Sequence, residues 1–330
     1  MKRTLLVWLA LLVGVLVITT STVFAQGGGP LPPPSSFLAD AILLARAAPL
    51  AILAGVLFGL WQAKLQKSRP KSAPNSPNVT RHDFGSVVAH WTNGLGFIIS
   101  LLTGAMVLKW IGFFSDLRTV FLLHYIGAAL ILFGVFSHLA QHFVAGGFGL
   151  IPRSFRDVRE GLGELIEYTG VFGPEGAAFR LPIPQTIRKP IAGIFSAFGV
   201  APPQRLGKYL PAEKVFSYAP WVIIVTVIVV TGLVKALRYI YPIAPEFVAQ
   251  MTTWHDLFTA ISVIMFAAHI AAVTLAPRNW PLLVSMFTMR VSRKHVEQWH
   301  PLWFKELTTA EQPSQTDATA ATVKAEQAKV

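Results

Sequence analysis

The chain has 330 residues, 53% of them hydrophobic and only 13% charged, a balance that excludes an ordinary water-soluble globular surface. It has no cysteine, which excludes iron–sulfur clusters, c-type haem attachment and disulfides on this chain and leaves the redox compartment unread. Its formal charge of +12 reads as basic loops that fix membrane topology, and no nucleic-acid partner is expected.

Residues 1–25 read as a secretory signal. Lys2 and Arg3 precede an apolar stretch from Leu5 to Thr19, and Val23-Phe24-Ala25 offers a cleavage site; retention as an anchor is the alternative. Residues 26–63 begin with an irregular Gly- and Pro-rich outer linker and continue into an extra span, the uncharged run from Ala47 to Ala63. Residues 64–82 form a basic linker. Its five Lys/Arg, from Lys64 to Arg81, stand without an acid, and its Pro, Ser and Asn content argues against a folded element.

Four longer spans follow, near 84–108, 119–143, 215–235 and 254–276, and together they make a core over 83–276. The short connection between the first two makes them an antiparallel hairpin. Within the core, the loop 144–214 carries nine Lys/Arg against six Asp/Glu, with Pro-rich stretches around Pro182 and Pro202. The tail 277–330 has seven basic and five acidic residues from Arg278 onward, and its Ala-, Thr-, Gln- and Lys-rich end reads as disordered from about Thr308. The positive-inside rule puts 64–82, 144–214 and the tail in the cytoplasm. The expected fold is all-α: an integral membrane four-helix core with one extra N-terminal transmembrane helix. The expected place is the bacterial inner (plasma) membrane, multi-pass, with the C-terminus cytoplasmic.

Histidines carry the chemistry. His124 and His138 are separated by the same interval as His255 and His269, each pair inside one span. That interval rises about 21 Å along a helix and returns about 40° from the starting face. One histidine of each pair then lies near each membrane face. His124 and His255 fall on the outer side, where they can pair across neighbouring helices. His90, His138 and His269 fall on the inner side and compete for a second site. Neutral imidazole binds haem iron axially, so the pattern points to two b-type haems stacked across the membrane. A lone intramembrane histidine reads as a helix–helix hydrogen bond or a proton relay; several at matching depths favour haem. His142 reads as solvated at the cytoplasmic interface, His82 as exposed, and His295 and His300 as part of a soluble tail. At the outer rim Lys109, Arg118, Lys235 and Arg238 could pair with haem propionates or snorkel.

Several local stretches occur in a recognisable order: Ala89-His90-Trp91, Leu123-His124 with Gly127, Lys208-Tyr209 with Glu213-Lys214, Val230-Thr231-Gly232, and His255 with His269. The tail adds Val291-Ser292-Arg293 through His300-Pro301-Leu302-Trp303. On these residues the chain from about Arg81 to Leu307 resembles the gamma subunit of respiratory formate dehydrogenase, a dihaem cytochrome b. The resemblance implies His124 with His255 as axial ligands of the outer haem iron, and His90 with His269 for the cytoplasmic-side haem. His138 with His269 is the alternative. It implies a quinone near Lys208, Tyr209 and His269, although Leu210, Pro211 and Ala212 stand where a typical relative has a polar Asn and a Gly. It further implies partners: an iron–sulfur (beta) subunit and a molybdenum or tungsten catalytic (alpha) subunit. Electrons would pass from the iron–sulfur partner through two haem b groups to a quinone on the cytoplasmic side. The chain would be the electron-transfer subunit of an oxidoreductase complex, not the formate-oxidising one. The alternatives are the cytochrome b of another molybdoenzyme or of a hydrogenase, and, in a different class, a haem-free transporter or anchor with a histidine proton relay.

Overall fold

The computed structural model describes residues 36–68, 76–114, 116–146, 148–173, 183–203 and 206–311. The signal reading of 1–25 and the end of the tail from 312 lie outside the described residues. Among those described, ten α-helices and one two-stranded ribbon follow in order. They are α1 Ser36–Ser68, β1 Asn78–Thr80, α2 Phe84–Val107, α3 Leu117–Ala145, α4 Phe155–Tyr168, α5 Gln185–Ala197, α6 Ala219–Leu237, α7 Pro245–Thr274, α8 Trp280–Thr288, β2 Arg290–Ser292, α9 Arg293–Trp299 and α10 Pro301–Glu311. Short 3₁₀ turns lie at Phe148–Leu150 and Pro277–Asn279, and a π-helical turn, Glu213–Tyr218, leads into α6.

Five helical spans are long and apolar enough to cross a membrane: Leu43–Lys67, Phe84–Val107, Leu117–Ala145, Glu213–Leu237 and Pro245–Thr274. Their apolar side chains point outward as well as inward. Leu50, Leu57, Ile223 and Ile264 are all more than half exposed. A helix that is apolar all round and lacks a protein partner on most faces is matched to lipid. The protein is therefore an all-α, multi-pass membrane protein. The extra N-terminal span is present, and its helix is longer at both ends than the uncharged run 47–63.

The chain divides into two compact units. The first comprises 36–67, 88–146 and 221–266. Its helices meet at very small residues. A Cβ placed on Gly96 would lie 2.6 Å from the Gly127 carbonyl oxygen, and one on Gly127 would lie 2.8 Å from that of Gly96. The α2 and α3 backbones thus touch where the glycines face each other, and even alanine there would force them apart. Gly55 and Gly59 let α1 lie equally close to the Phe133 and Ser137 carbonyls of α3. Leu44, Ala48, Leu132 and Ala236 pack α1, α3 and α6 into one core, while Phe97, Ile131 and Val225 join α2, α3 and α6 into another. The α3 helix starts where the Asp116 carboxylate accepts from the Arg118 and Thr119 amides, and it stops at Gly146 in the left-handed conformation (φ 82°).

The second unit comprises the described parts of 68–87, 147–220 and 267–311. Here the structure corrects one expectation and fills in two further stretches. The stretch 64–82 is not wholly unfolded: α1 runs to Ser68, and Asn78–Thr80 pairs antiparallel with Arg290–Ser292. Val79 and Val291, 1% and 3% exposed, meet across that ribbon and pack with Val296 and Trp303. The partner strand is over two hundred residues away, so local composition could not reveal it. The loop 144–214 contains α4 and α5; Ile166 of α4, Ile191 and Phe195 of α5, and Val200 just after it form a small core. The tail is folded through α10, so helix continues past Thr308 to Glu311.

Candidate functional site

His124 on α3 and His255 on α7 face each other in the first unit, with ring centres 6.4 Å apart. Two imidazoles sharing one metal through nitrogen bonds of about 2 Å place their ring centres roughly 6 Å apart. The spacing therefore fits a pair of axial ligands to a single iron. Each ring is held from behind by a threonine on the preceding helix. Thr103 donates its hydroxyl hydrogen to the Ile99 carbonyl (2.7 Å), which leaves an oxygen lone pair for the Nδ1–H of His124 at 2.9 Å. Thr231 donates to the Val227 carbonyl (2.6 Å), and its oxygen lies 3.1 Å from Nδ1 of His255. The same Nδ1 also reaches the Ile228 carbonyl at 3.1 Å. With both Nδ1 atoms acting as donors, each Nε2 carries the lone pair a metal requires.

Glycine follows each threonine. A Cβ on Gly232 would lie 3.1 Å from Cε1 of His255, and one on Gly104 would lie 3.8 Å from Cε1 of His124. The pairs Thr103-Gly104 and Thr231-Gly232 thus repeat one device: a hydroxyl to orient an imidazole and a bare backbone beside its edge. Neither threonine was singled out as a site residue from sequence. The recoverable signal was the repeated Thr-Gly dipeptide, 21 and 24 residues before the two outer histidines. The donor set, the ring spacing and the glycine faces fit a haem iron.

The inner histidines differ in setting. His90 on α2 is exposed and meets Trp91 edge-on at 5.2 Å. His138 packs against His142 one turn later, ring centres 4.1 Å apart. His142 is buried, 8% exposed, which corrects the expectation of a solvated side chain; its position on α3 faces inward beside buried Gln141. His269, half-buried on α7, belongs to the second unit. The α7 helix buries only 6% of its apolar window, which leaves the helix that carries both His255 and His269 largely open to lipid and to flat prosthetic groups.

Lys208 and Tyr209 also belong to the second unit. The Lys208 ammonium lies 5.5 Å from the Tyr209 ring centre, and both side chains are half-buried. Burial, then the charge of Arg81, lowers the Lys208 pKa, and burial pushes the Tyr209 phenol up to about 12. The stretch that follows is pinned by two carboxylates. The Leu210 amide donates to Glu213 (3.2 Å) and the Ala212 amide donates to Glu164 (2.9 Å). Glu164 is fully buried, accepts from the Tyr168 hydroxyl at 2.6 Å, and is pushed up to about 7 by burial. Leu210 and Ala212, 7% and 8% exposed, are packing residues here. The π-helical turn that begins at Glu213 widens the backbone where this stretch enters the third core span, a distortion that often marks functional sites.

At the C-terminal end of α6, Lys235 meets Asp256 at 3.6 Å, and Arg238 lies over the ring of Tyr239 and donates to its hydroxyl. Both therefore have protein partners. Lys109, in the left-handed conformation at φ 61°, lines a cavity of about 450 Å³ with Met106, Trp110, Phe114 and Val120.

No curated protein matches the chain. A family model, prokaryotic cytochrome b561, matches residues 81–289, which include His90, His124, His138, His255 and His269. A family of haem-binding membrane cytochromes and a facing histidine pair at metal-sharing distance lead to one conclusion: the chain belongs to the prokaryotic cytochrome b561 family, a b-type cytochrome of the membrane that works in electron transfer.

Proposed function

We propose that the chain is the membrane cytochrome b subunit of a respiratory formate dehydrogenase complex. It links an iron–sulfur subunit, itself serving a molybdenum or tungsten catalytic subunit, to a quinone on the cytoplasmic side of a bacterial inner membrane. The observation that carries this reading is the His124–His255 pair, with ring centres 6.4 Å apart and each Nδ1 held by a threonine, which leaves Nε2 of each ring for a metal. Bound haem supplies one-electron transfer. The chain supplies the axial nitrogens, their orientation and an apolar setting that excludes water. His90 with His269 is proposed for the second haem on the strength of the resemblance. Lys208, Tyr209 and His269 are proposed beside the quinone, where cytoplasmic protons would complete its reduction. The basic character of 64–82 and of the tail supports a cytoplasmic C-terminus.

Haem content is the direct test. Pyridine haemochrome analysis of purified protein should give two b haems per chain; a ratio near zero in protein made with ample haem would remove the electron-transfer reading. The family match suits the cytochrome of another molybdoenzyme or of a hydrogenase as well, so subunits identified by co-purification decide the donor. A hydroxyquinoline-type quinone analogue should perturb the spectrum of the inner haem alone.

The threonines give a second, graded expectation. An Nδ1–H hydrogen bond makes imidazole a stronger donor and favours oxidised iron. Removing one worth about 1 kcal/mol should raise a one-electron midpoint by roughly 40 mV. Thr103→Val and Thr231→Val should therefore each raise the midpoint of the outer haem, and Thr→Ser should restore it. Each imidazole also keeps a backbone carbonyl, Ser100 for His124 and Ile228 for His255, so the two effects should be similar in size. Potentiometric titration with no upward shift in either valine variant would show that the hydroxyls are idle.

A further inference from the structure

The tail signature around Val291 to Trp303 contains no proposed haem ligand, yet in the second unit it helps to build a buried nest of unpartnered donors. Arg81 is 3% exposed. It is set in place where its amide donates to the Met289 carbonyl (2.9 Å), at the end of the β1–β2 ribbon. Its Nε donates to His82 and its Nη2 reaches Glu213 at 3.4 Å, but its Nη1 is buried without a hydrogen-bond partner. The Arg278 side chain is 9% exposed. Both its terminal nitrogens are buried without hydrogen-bond partners, and Glu167 comes no closer than 3.7 Å. Its guanidinium is stacked 4.4 Å from the centre of the Trp299 ring and 5.4 Å from that of Tyr168, which fixes its plane.

His295, 8% exposed, adds a buried Nε2 without a partner, 5.6 Å ring to ring from His300. His300 is held by the Gly207 carbonyl at 2.7 Å. Val296, beside His295, packs with Val79, two residues before Arg81, and Trp299, one turn after His295, carries the Arg278 guanidinium. Burial first, and then the charges of Arg81 and Arg278, push the His295 imidazole down to about 4. Carboxyl groups do stand near: Glu213 at Arg81, Glu167 at Arg278, and Glu164 behind Tyr168. Four nitrogen atoms are left without a hydrogen bond, one of them (Nη1 of Arg278) held only by its ion pair with Glu167, and buried guanidinium groups so incompletely satisfied are costly. Planar forks of this kind are suited to carboxylate and phosphate oxygens.

We propose that Arg81, Arg278 and His295 form a buried oxyanion site that binds a carboxylate or phosphate group. Two sources share that chemistry: a haem propionate and the phosphate of a tightly held phospholipid. The propionate source rests on the reading above. Arg81 precedes His90, and Arg278 follows His269, by the same interval of nine residues, so each arginine lies on the cytoplasmic side of a proposed inner ligand.

The test uses purified full-length holoprotein, as wild type, Arg81→Gln and Arg278→Gln, with two readouts. One is the midpoint of each haem as a function of pH; the other is phospholipid retained through exhaustive delipidation, counted by native mass spectrometry. With a propionate in the site, each variant lowers the midpoint of one haem and changes its pH dependence, while haem and lipid counts hold. With a lipid phosphate, each variant loses a retained phospholipid and the midpoints hold. If both readouts are unchanged in a variant with wild-type helicity, the donors face water only and the proposal is overturned. Should the glutamine variants not accumulate, the wild type alone decides. It must show either a retained phospholipid or an infrared propionate band displaced from the solvated position, and showing neither overturns the site. Protein without haem defeats the reading under Proposed function, whereas the phospholipid count still tests the site.

Discussion

Replacing His255 or His124 with alanine should take the haem content from two per chain to one. In the proposed pairing each ring supplies half of an axial pair whose centres stand 6.4 Å apart, and among the described residues the pair has its own orienting threonines and its own glycine faces. Alanine leaves a cavity and no nitrogen, so the loss should be all-or-none and not graded. Gly104 and Gly232 offer backbone, not side chains, beside the two rings. The helices themselves are held elsewhere, by the Gly96–Gly127 crossing and by the Phe97, Ile131 and Val225 core, so they should persist in the variant. Haemochrome stoichiometry with far-ultraviolet circular dichroism checks both halves. Two haems retained in His255→Ala would sink the outer pairing.

The spans were legible because transmembrane helices announce themselves locally: a long apolar run needs no partner to be recognised. The histidine interval was legible for the same reason, since a helix converts sequence spacing directly into depth and face. What could not be read was everything that depends on distant partners. Val79 becomes a buried strand residue only because Val291 lies opposite it, and the basic linker alone gives no hint of that. His295 and His300 belong to a short, basic tail, yet both are buried, 8% and 1% exposed: the Gly207 carbonyl comes to His300 from far away in the chain, and Trp303 and His295 pack on its ring. Thr103 and Thr231 were hidden for another reason. Threonine in a membrane helix commonly bonds its own backbone, as both do here, and only the second bond to a histidine gives them a role.

The buried polar groups of the second unit bear on the quinone proposal. Glu164 and Glu213 hold the Leu210 and Ala212 amides, so the stretch after Tyr209 is fixed by side chains of residues far apart in the chain. Where a typical relative has Asn and Gly, this chain uses Leu210 and Ala212 for packing, and the polar work passes to the carboxylates. A quinone bound here would meet Lys208 and Tyr209 as the available donors. Tyr209 keeps its proton throughout the physiological range, because burial has raised its pKa to about 12.

His90→Ala should remove the inner haem, and His138→Ala should leave it in place. The two outer histidines obey a near-symmetry, each with a Thr-Gly pair on the preceding helix, and extending that symmetry inward makes His138 the counterpart of His269. Local packing argues the other way. The His138 ring is engaged at 4.1 Å with His142, which is itself buried, so using it as a ligand would require the pair to separate. His90 is exposed, with Trp91 edge-on at its side. The Ala89-His90-Trp91 match points to the same residue. In His90→Ala the haem count should fall to one, with the outer haem spectrum and midpoint unchanged, and His269→Ala should give the same result. In His138→Ala the count should remain two, with at most a modest shift in the inner midpoint as the His142 ring loses its neighbour. The reverse pattern, one haem in His138→Ala and two in His90→Ala, would establish the symmetrical pairing of His138 with His269 in place of the one proposed.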